Sequence, residues 1–391
     1  MKISIANFHV VRPTHSADQE VVLEWVAHAH THAEALKNKW DLNGPEFSHF
    51  YEEIKTKLLQ IGAGPDKIKR RGMQCSDFTH KMWEEMEIFQ LSQAREGLGL
   101  KTRKAFFDKE LDGVFEAFYP ESAATAPHLI HVTCTGYAAP SGAQRLVSKR
   151  TQGKETTVTH AYHMGCYAAF PAIRMGLGFL ATSHLGAKEN SVDVVHTEMC
   201  SLHFNPILHM TEQLVVQTLF ADGFIKYSLM PSDVARDSFE SVLDVLSLHE
   251  EIVPDSSDSM TWGFENWGMR MTVAKEVPVL IKRNLPAFVR RLIEKAQLDP
   301  NAVEKEALYA IHPGGPKIVQ QVAEILKLDR ENVRHSQGVL EDFGNMSSGT
   351  IPHVWDRILK DAEVKKGTWI IGLAFGPGLS ISGGLFQKGG T

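Results

Sequence analysis

The chain has 391 residues, of which 43% are hydrophobic and 23% are charged, so it can bury a sizeable core as one large domain or as two fused halves. This composition excludes a disordered chain and a disulfide-stapled scaffold. The 41 Lys and Arg residues against 47 Asp and Glu residues leave a net charge of -6, which would repel a phosphate backbone. We therefore expect no nucleic-acid partner.

Neither the N-terminal segment nor the most apolar stretch has the features of export or membrane insertion. The first twenty residues lack a long apolar region and a cleavage site, and the apolar stretch 168–181 carries Arg174 and has the length of a buried helix. The cysteines, at positions 75, 134, 166 and 200, form no C-x-x-C pair and no close zinc spacing. We expect a cytoplasmic protein with no membrane span and no metal.

The first hundred residues are predicted to be helical. Apolar residues recur at spacings of three and four over 20–39 and 45–62, which indicates two helices in a surface layer. His28, His30 and His32 lie two residues apart and do not share one helix face, so they predict an ordinary surface helix rather than a metal site.

From residue 129 the pattern changes to that of buried strands. The runs LIHVTCTG (129–136) and VDVVHTEM (192–199) are short and rich in β-branched residues. Between them, Phe170, Ile173 and Leu177 recur at helical spacing. The order strand, helix, strand predicts α/β layering.

A second segment of similar pattern begins near residue 233. We predict a helix over 237–246, a polar loop over 253–259, a helix over 275–296, a strand over 307–312 and a final strand over 368–378. The simplest organisation is two α/β halves, an N-terminal half over 1–235 and a C-terminal half over 236–391.

Cys166 is the first candidate for chemistry. It follows Gly165 and opens an apolar helix, where the positive end of the helix dipole would favour a thiolate. A lone cysteine is more commonly a small buried residue that packs as a hydrophobe. The sequence around Cys166 leaves both interpretations open.

His312 and Asn345 are the other two candidates. His312 ends a predicted strand and is followed by a Pro-Gly-Gly-Pro turn, so its imidazole can face a cleft or simply cap the strand. Asn345 lies on a Gly-flanked turn before a predicted helix, where its amide can donate to an oxyanion or act as an N-cap.

Several motifs together resemble the type III polyketide synthases, the chalcone synthase-like branch of the thiolase superfamily. These are HPGGP at 312–316, GNMSSG at 344–349, FGPGLSISGG at 375–384, LFADG at 219–223 and HTEMCSLHF at 196–204. The resemblance covers about residues 66–386. It implies an α/β thiolase fold of five layers, αβαβα, built from two related halves, and a homodimer.

The same resemblance implies roles for individual residues. Cys166 matches the nucleophile that carries the acyl chain, His312 and Asn345 match its two catalytic partners, and Phe220 matches the aromatic gate between an entry tunnel and the cavity. A thiolate would attack an acyl thioester, and two preorganised donors would stabilise the enolate formed when a malonyl unit loses carbon dioxide.

The cavity differs from that of plant members of the family. Residues that depart from the plant pattern are expected to line the substrate pocket: Cys200 and His203 replace small residues, Met271 replaces an aromatic one, Trp262 or its neighbour Gly263 falls at a glycine that shapes cavity volume, and Ala139 falls near a methionine sent to the partner subunit. Thr133 and Ser347 are also assigned to this pocket. Trp262 would shorten the cavity, unless it is a core aromatic.

Recognition of the acyl donor is the weakest part of the resemblance. Lys67 and Lys317 are assigned to coenzyme A binding, but the run KIKRR at 67–71 is equally typical of a solvated helix face or of a surface for an acidic carrier protein. The implied substrates are malonyl and acyl thioesters, on coenzyme A or a carrier, with no separate cofactor.

Three functions remain in view. The first is a condensing enzyme that extends an acyl starter with malonyl units and releases a pyrone, resorcinol or phloroglucinol type product. The alternative is a single condensation or acyl transfer by the same three residues, as in the initiating ketosynthases of fatty-acid synthesis. A non-catalytic protein of this fold would lack one of the three residues, and all three are present.

Overall fold

The computed structural model describes residues 2–151, 153–182 and 191–390. Its helices are α1 (Gln19–Asn38), α2 (Pro45–Ile61), α3 (Leu100–Phe118), α4 (Gly142–Ser148), α5 (Ala169–Ala181), α6 (Thr211–Leu219), α7 (Ser232–Ser238), α8 (Val277–Lys295), α9 (Pro300–Glu306), α10 (Pro316–Leu326), α11 (Arg330–Phe343) and α12 (Thr350–Lys360). Its strands are β1 (Ile3–Val11), β2 (His15–Asp18), β3 (Arg70–Met73), β4 (His128–Thr133), β5 (Thr157–Tyr162), β6 (Val192–Met199), β7 (Asp222–Pro231), β8 (Ser241–Ile252), β9 (Met260–Phe264), β10 (Met269–Val273), β11 (Leu308–Ile311), β12 (Trp369–Gly376) and β13 (Ser380–Gly390).

The main sheet contains the same arrangement twice. Within the described residues its strand order is β11-β12-β13-β8-β1-β7-β6-β4-β5. Outward from β1 the next two pairings are antiparallel and the third is parallel, and the same holds outward from β8. β1 and β8 meet through the pairs Ser4↔Asp244 and Ile5↔Leu243. The two halves of the sheet are therefore related in topology, as the resemblance implied.

Helices cover the sheet on its outer sides and fill the space between its halves. One apolar cluster packs α1 and α3 on the N-terminal strands, and another packs α8 and α10 on the C-terminal strands. A third, central cluster contains α5 and α12, which contact strands of both halves. The layers thus alternate αβαβα, and the predicted thiolase fold is confirmed. The division of the chain at residues 235 and 236 stays a prediction.

Most of the predicted elements are present. Helices α1, α2, α5 and α8 and strands β4, β6, β11 and β12 lie within a few residues of their predicted positions, and residues 253–259 form a loop. No helix among the described residues has the length and apolar character needed to cross a membrane. The described residues contain no group of three or more His, Cys, Asp or Glu side chains placed to hold a metal ion.

The prediction that the first hundred residues are helical was wrong for β1, β2 and β3, of which β1 lies inside the main sheet between β8 and β7. Three other sequence predictions were also wrong. The predicted helix over 237–246 is mostly strand: α7 ends at Ser238 and β8 begins at Ser241, because the chain from Ser241 onward pairs with β13. The predicted final strand, β12, is followed by β13, which lies between β12 and β8. α1 is also not a surface helix, since most of its residues are buried and His30 is fully buried against Gln217.

Candidate active site

Cys166 lies in a tight turn that joins β5 to α5. Gly165, immediately before it, has a φ of 81°, and a Cβ added there would lie 2.6 Å from Cδ of Pro377. Glycine is therefore required on steric grounds, both for the left-handed backbone and for the close approach of the 376–378 loop. The turn places the Cys166 thiol, which is 9% exposed, at the wall of an internal cavity.

The helix dipole acts on Cys166 less directly than the sequence indicated. α5 begins at Ala169, so Cys166 precedes the helix instead of opening it. Burial raises the pKa of the Cys166 thiol to about 12. Polar contacts with Ser347 and Asn345 oppose that rise; Sγ of Cys166 lies 4.0 Å from Oγ of Ser347. Burial therefore favours the neutral thiol, and the expectation of a resting thiolate is not supported.

His312 is positioned by the end of a strand. Its backbone N–H donates to the carbonyl of Leu373 at 2.7 Å, which extends the pairing of β11 with β12 by one residue before the turn. The side chain is 2% exposed, and neither ring nitrogen has a hydrogen-bond partner among the described residues. Burial lowers the pKa of His312 to about 3, so the ring is neutral and can accept one proton and donate another.

Asn345 serves both interpretations that the sequence left open. Its Oδ1 accepts from the backbone N–H of Ser347 at 2.9 Å, which stabilises the turn before α12. Its Nδ2 donates to the carbonyl of Gly314 at 3.2 Å and has a second hydrogen available. Its backbone pairs with the segment around Phe220, through N–H to the carbonyl of Leu219 and carbonyl to the N–H of Ala221, both 2.9 Å.

These contacts bring the three candidate residues into one region. Asn345 contacts the Cys166 thiol on one side and Gly314 on the other. An added Cβ on Gly314 would lie 3.6 Å from Cδ2 of His312, so the imidazole lies beside that glycine. The region lies where the C-terminal ends of β5 and β11 meet. These two ends, one in each half of the sheet, are alike in one respect: each is the end of a parallel strand.

Two connected cavities extend from Cys166. The inner cavity, about 30 Å³, is lined by Cys166 and Ser347, and the outer cavity, about 50 Å³, is lined by His203. Each has room for only a few water molecules. The predicted pocket residues that line both are Cys200, Phe220, Trp262 and Met271.

The hairpin of β9 and β10 forms one wall of these cavities. Met271 lies opposite Trp262 in this two-stranded sheet, and Nε1 of Trp262 donates to the carbonyl of Cys134 at 2.7 Å. Nδ1 of His203 accepts from the N–H of Met269 at 3.2 Å, so its Nε2 carries the proton and donates to the carbonyl of Thr135 at 2.9 Å. Trp262 is half-buried, which places it as a wall residue and not as a core aromatic.

Other predicted residues lie outside these cavities. Thr133 is fully buried and its Oγ1 lies 3.4 Å from Glu198, while the neighbouring Thr135 lines the inner cavity. Ala139 is exposed on its loop and lines neither cavity. The remaining two, Lys67 and Lys317, are exposed at the surface.

The two lysines are each close along the chain to a residue that packs on Leu219, the residue before Phe220. Ile68, next to Lys67, packs with Leu219 in a small apolar cluster. An added Cβ on Gly315, two residues before Lys317, would lie 3.3 Å from Leu219. These contacts concern the chain neighbours of the two lysines, whose own side chains are exposed.

Sequence reasoning missed two cavity residues. Arg71 belongs to the KIKRR run, which the structure places partly on β3 and not on a helix, and its guanidinium is only 4% exposed at the outer cavity. Asn205, 1% exposed, lines the same cavity. Nothing in the local sequence marks a buried arginine inside a basic run, because only the fold determines which side chains of the run point into the interior.

The sequence is similar to known proteins over much of its length. Residues 244–388, which include His312 and Asn345, match the family described as chalcone and stilbene synthases, C-terminal domain. A region covering 67% of the chain is 29% identical to "Type III polyketide synthase C" of Arabidopsis thaliana and covers 67% of that protein. Over about two thirds of its length, the sequence is thus similar to type III polyketide synthases.

Other matches cover different shares of each protein. It is 28% identical to "Probable polyketide synthase 1" of Dictyostelium discoideum over 66% of this chain, which is only 8% of that protein's length. Among solved structures, PKS-I of the brown alga Ectocarpus siliculosus matches with a TM-score of 0.80 and 20% identity, covering 99% of this chain and 98% of the other. The C-terminal type III domain of Steely1 from Dictyostelium matches with a TM-score of 0.79, 21% identity and 99% coverage of both chains. At these identities the solved structures support the fold.

Proposed function

We propose that this protein is an acyltransferase that extends an acyl starter by decarboxylative Claisen condensation with malonyl thioesters. The observation that carries the proposal is that contacts link Cys166, at the wall of a small, mostly apolar cavity, to Asn345, and Asn345 to Gly314 beside His312. The similarity to type III polyketide synthases of Arabidopsis supports the same activity.

The first step loads the starter. The Cys166 thiol gives its proton to His312, whose ring nitrogens are free to accept it. The sulfur attacks the carbonyl carbon of an acyl thioester, a new thioester forms on Cys166, and the donor's thiolate leaves with a proton. Since burial raises the pKa of the thiol and lowers that of the imidazole, this proton transfer is favoured only when substrate is bound or the resulting ion pair is stabilised.

The second step makes the carbon–carbon bond. A bound malonyl thioester loses carbon dioxide, and the electron pair of the broken bond moves onto the thioester oxygen as an enolate. His312 and the second Nδ2 hydrogen of Asn345 donate to that oxygen. The enolate carbon then attacks the acyl carbonyl on Cys166, and the Cys166 thiolate is released. The apolar walls formed by Phe220 and Met271 limit the water that would protonate the enolate.

The cavity favours small products. Inner and outer cavities of about 30 and 50 Å³ leave little room for a long chain, which fits a pyrone, resorcinol or phloroglucinol type product. The same narrowness favours the alternative, a single condensation or acyl transfer of the initiating ketosynthase type. Counting the extension steps distinguishes the two.

The acyl donor is proposed to be a small thioester with no separate cofactor. Lys67 and Lys317 are exposed and close along the chain to residues that pack on Leu219, and we assign them to the phosphates of coenzyme A. An acyl carrier protein with an acidic surface would meet the same lysines, and it stays an alternative donor.

A homodimer is proposed on the edge of the main sheet. β5 is an edge strand with exposed or half-buried residues along most of its length, and a second copy can pair with it. Ala139 is exposed on the nearby loop, where it can reach a partner.

The protein is proposed to be cytoplasmic. Its four free cysteines are all buried, and free cysteines are typical of a reducing compartment.

One experiment tests this function. The purified protein is incubated with malonyl-coenzyme A and a panel of acyl-coenzyme A starters, and products are identified by mass spectrometry. We expect products that retain the starter carbons plus two carbons for each lost carbon dioxide, and none from Cys166→Ala. Acylated Cys166 with no new carbon–carbon bond would favour acyl transfer alone.

A further inference from the structure

Only one of the three guanidinium nitrogens of Arg71, Nη1, makes hydrogen bonds within the described residues. Its Nη1 donates to the carbonyls of Gln217 at 2.8 Å and Phe220 at 3.0 Å, the last turn of α6 and the residue that follows it. A cation there stabilises the helix C-terminus. Nε and Nη2 are buried and have no hydrogen-bond partner among the described residues.

A second buried arginine shows that this arrangement is not required for burial. Arg103 is 1% exposed, and all three of its nitrogens donate to backbone carbonyls: Nε to Leu98, Nη1 to Leu202 and Phe204, and Nη2 to Glu96. Leaving two charged nitrogens unpaired in the interior is costly, so the free edge of Arg71 calls for a partner that the chain does not supply.

Asp222 does not supply that partner. Its Oδ2 accepts from the N–H of Gln74 and the hydroxyl of Ser201, both at 2.7 Å, and its Oδ1 accepts from the N–H of Ser201 at 2.8 Å. It acts on Arg71 through space, and no ion pair between the two is formed within the described residues. The Arg71 edge that carries Nε and Nη2 remains open to a ligand.

A second unpaired donor lines the same outer cavity. Asn205 accepts from the N–H of Ile207 through Oδ1 at 3.0 Å, which sets the orientation of its amide, and its Nδ2 is buried without a partner. Both Arg71 and Asn205 line the outer cavity. The unpaired polar atoms of these two side chains are all donors, so the matching ligand atoms are acceptors with negative charge.

We propose that the outer cavity binds the oxyanion at the far end of an acyl chain held on Cys166, with Nε and Nη2 of Arg71 as a two-pronged donor and Nδ2 of Asn205 as a third. The acyl chain rests on the proposed function, whereas the oxyanion site rests on the unpaired donors. Such charge-assisted, bidentate contacts are geometrically selective for carboxylate-like groups.

The position of the outer cavity fits this ligand. It shares the walls Cys200, Phe220, Trp262 and Met271 with the inner cavity that contains Cys166, so a chain can extend from one into the other. The oxyanion has two chemical sources. It is either the terminal carboxylate of a dicarboxylic starter or the ionised enol of a β-keto chain, and the site would favour both over an alkyl end.

The test measures binding in a protein that cannot be acylated. In the Cys166→Ala background, isothermal titration compares glutaryl-coenzyme A with neutral pentanoyl-coenzyme A, and 4-hydroxy-6-methyl-2-pyrone with its neutral 4-methoxy ether. We expect at least one acidic ligand to bind about tenfold more tightly than its neutral counterpart. Preference in the first pair alone assigns the site to a carboxylate, and preference in the second alone assigns it to an enolate.

Two variants then test the named donors. Arg71→Lys keeps a cation for the carbonyls of Gln217 and Phe220 but removes the two-pronged edge. Asn205→Asp keeps the acceptor for Ile207 but replaces the free donor with a charge of the wrong sign. Each should reduce the preference for the acidic ligand by about tenfold and leave the affinity of the neutral ligand unchanged.

The proposal and the proposed function can fail separately. No preference for either acidic ligand, or a preference that survives in both variants with unchanged melting temperature, would overturn the oxyanion site. Absence of condensation products with pentanoyl-coenzyme A in the unaltered protein would count against the proposed function only, because the binding comparisons do not depend on turnover.

Discussion

The indole N–H of Trp262 donates to the carbonyl oxygen of Cys134 at 2.7 Å, which ties a cavity wall to the loop after β4. The ring also lies edge-on to His203 at 5.5 Å between centroids. Trp262 therefore stands in a defined orientation between the inner and outer cavities. We therefore expect the size of the Trp262 ring, and not only its contribution to stability, to set how far an acyl chain can extend.

Trp262→Gly should enlarge the space shared by the two cavities and lengthen the product. A large aromatic side chain buries about 150–250 Å² of surface, so its loss opens room for a longer starter or one more extension. Because Trp262 is half-buried, we expect a smaller loss of stability than the roughly 3–5 kcal/mol typical of a fully buried Trp. Mass spectrometry of products and a thermal melt measure both. Trp262→Phe, which keeps the ring but loses the hydrogen bond, is the matched control; unchanged products in a strongly destabilised Trp262→Gly would show a core role instead.

His312→Ala should raise the pH at which Cys166 reacts with iodoacetamide. Burial raises the pKa of the thiol to about 12. In the proposed mechanism, proton transfer to His312 forms an imidazolium whose charge would stabilise the Cys166 thiolate. Without it, alkylation at pH 7 should slow by about tenfold or more, since one pKa unit changes the thiolate fraction tenfold. Peptide mapping follows the label on Cys166 against pH, with the exposed His49→Ala as control. Identical pH profiles in all three proteins would separate His312 from the thiol.

Asn345→Ser should separate acyl loading from decarboxylation. Serine keeps an oxygen that can accept from the N–H of Ser347, whose bond to Oδ1 holds the turn before α12, but it removes the amide donor. We expect acyl-Cys166 to form and malonyl decarboxylation to fall by about a hundredfold, the usual scale for one oxyanion donor. Intact-protein mass and release of labelled carbon dioxide measure the two steps. Full decarboxylation by this variant would assign Asn345 to the turn alone.

Gly165→Ala should disrupt the turn that holds the nucleophile. The added methyl would lie 2.6 Å from Cδ of Pro377. Alanine would also have to adopt the left-handed backbone of Gly165, which costs about 1–2 kcal/mol before the clash is counted. Gly178→Ala is the matched control, because it lies in α5 with nothing within 4 Å of an added Cβ. It should be neutral or stabilise by about 0.5–1 kcal/mol. Denaturant unfolding and acyl loading compare the two; equal behaviour would show that the turn tolerates a side chain.

The sequence allowed prediction of those elements whose pattern is local. α1, α2 and α5 have uninterrupted helical spacing, and β4 and β6 are β-branched runs. β8 was assigned to a helix because its apolar residues also fit a spacing of three and four, and only pairing with β13 selects the strand. β13 itself is rich in Gly and Ser, which lowers strand propensity, although its place between two strands protects it.

The candidate site was predictable in its chemistry and in part of its walls, since Cys200, Phe220, Trp262 and Met271 line both cavities. Cys166, His312 and Asn345 lie in short sequence patterns, which can be recognised from the order of residues along the chain. Arg71 and Asn205 depend on which side chain faces a cavity, which is set by contacts between β3, α6 and distant loops. Protonation also depends on burial, and for that reason the thiolate expected from the helix dipole was not supported.

The hairpin of β9 and β10 is a separate two-stranded sheet and not part of the nine-stranded one. Its bonds to the rest of the protein include those of Trp262, His203 and Gln213, the last donating to the carbonyl of Met271 at 2.6 Å. The turns that carry Cys166 and His312 follow strands of the large sheet. Selection can therefore change the hairpin's side chains, and with them the size of the product, while the reaction chemistry is inherited unaltered. In such an architecture substrate range can diverge faster than mechanism.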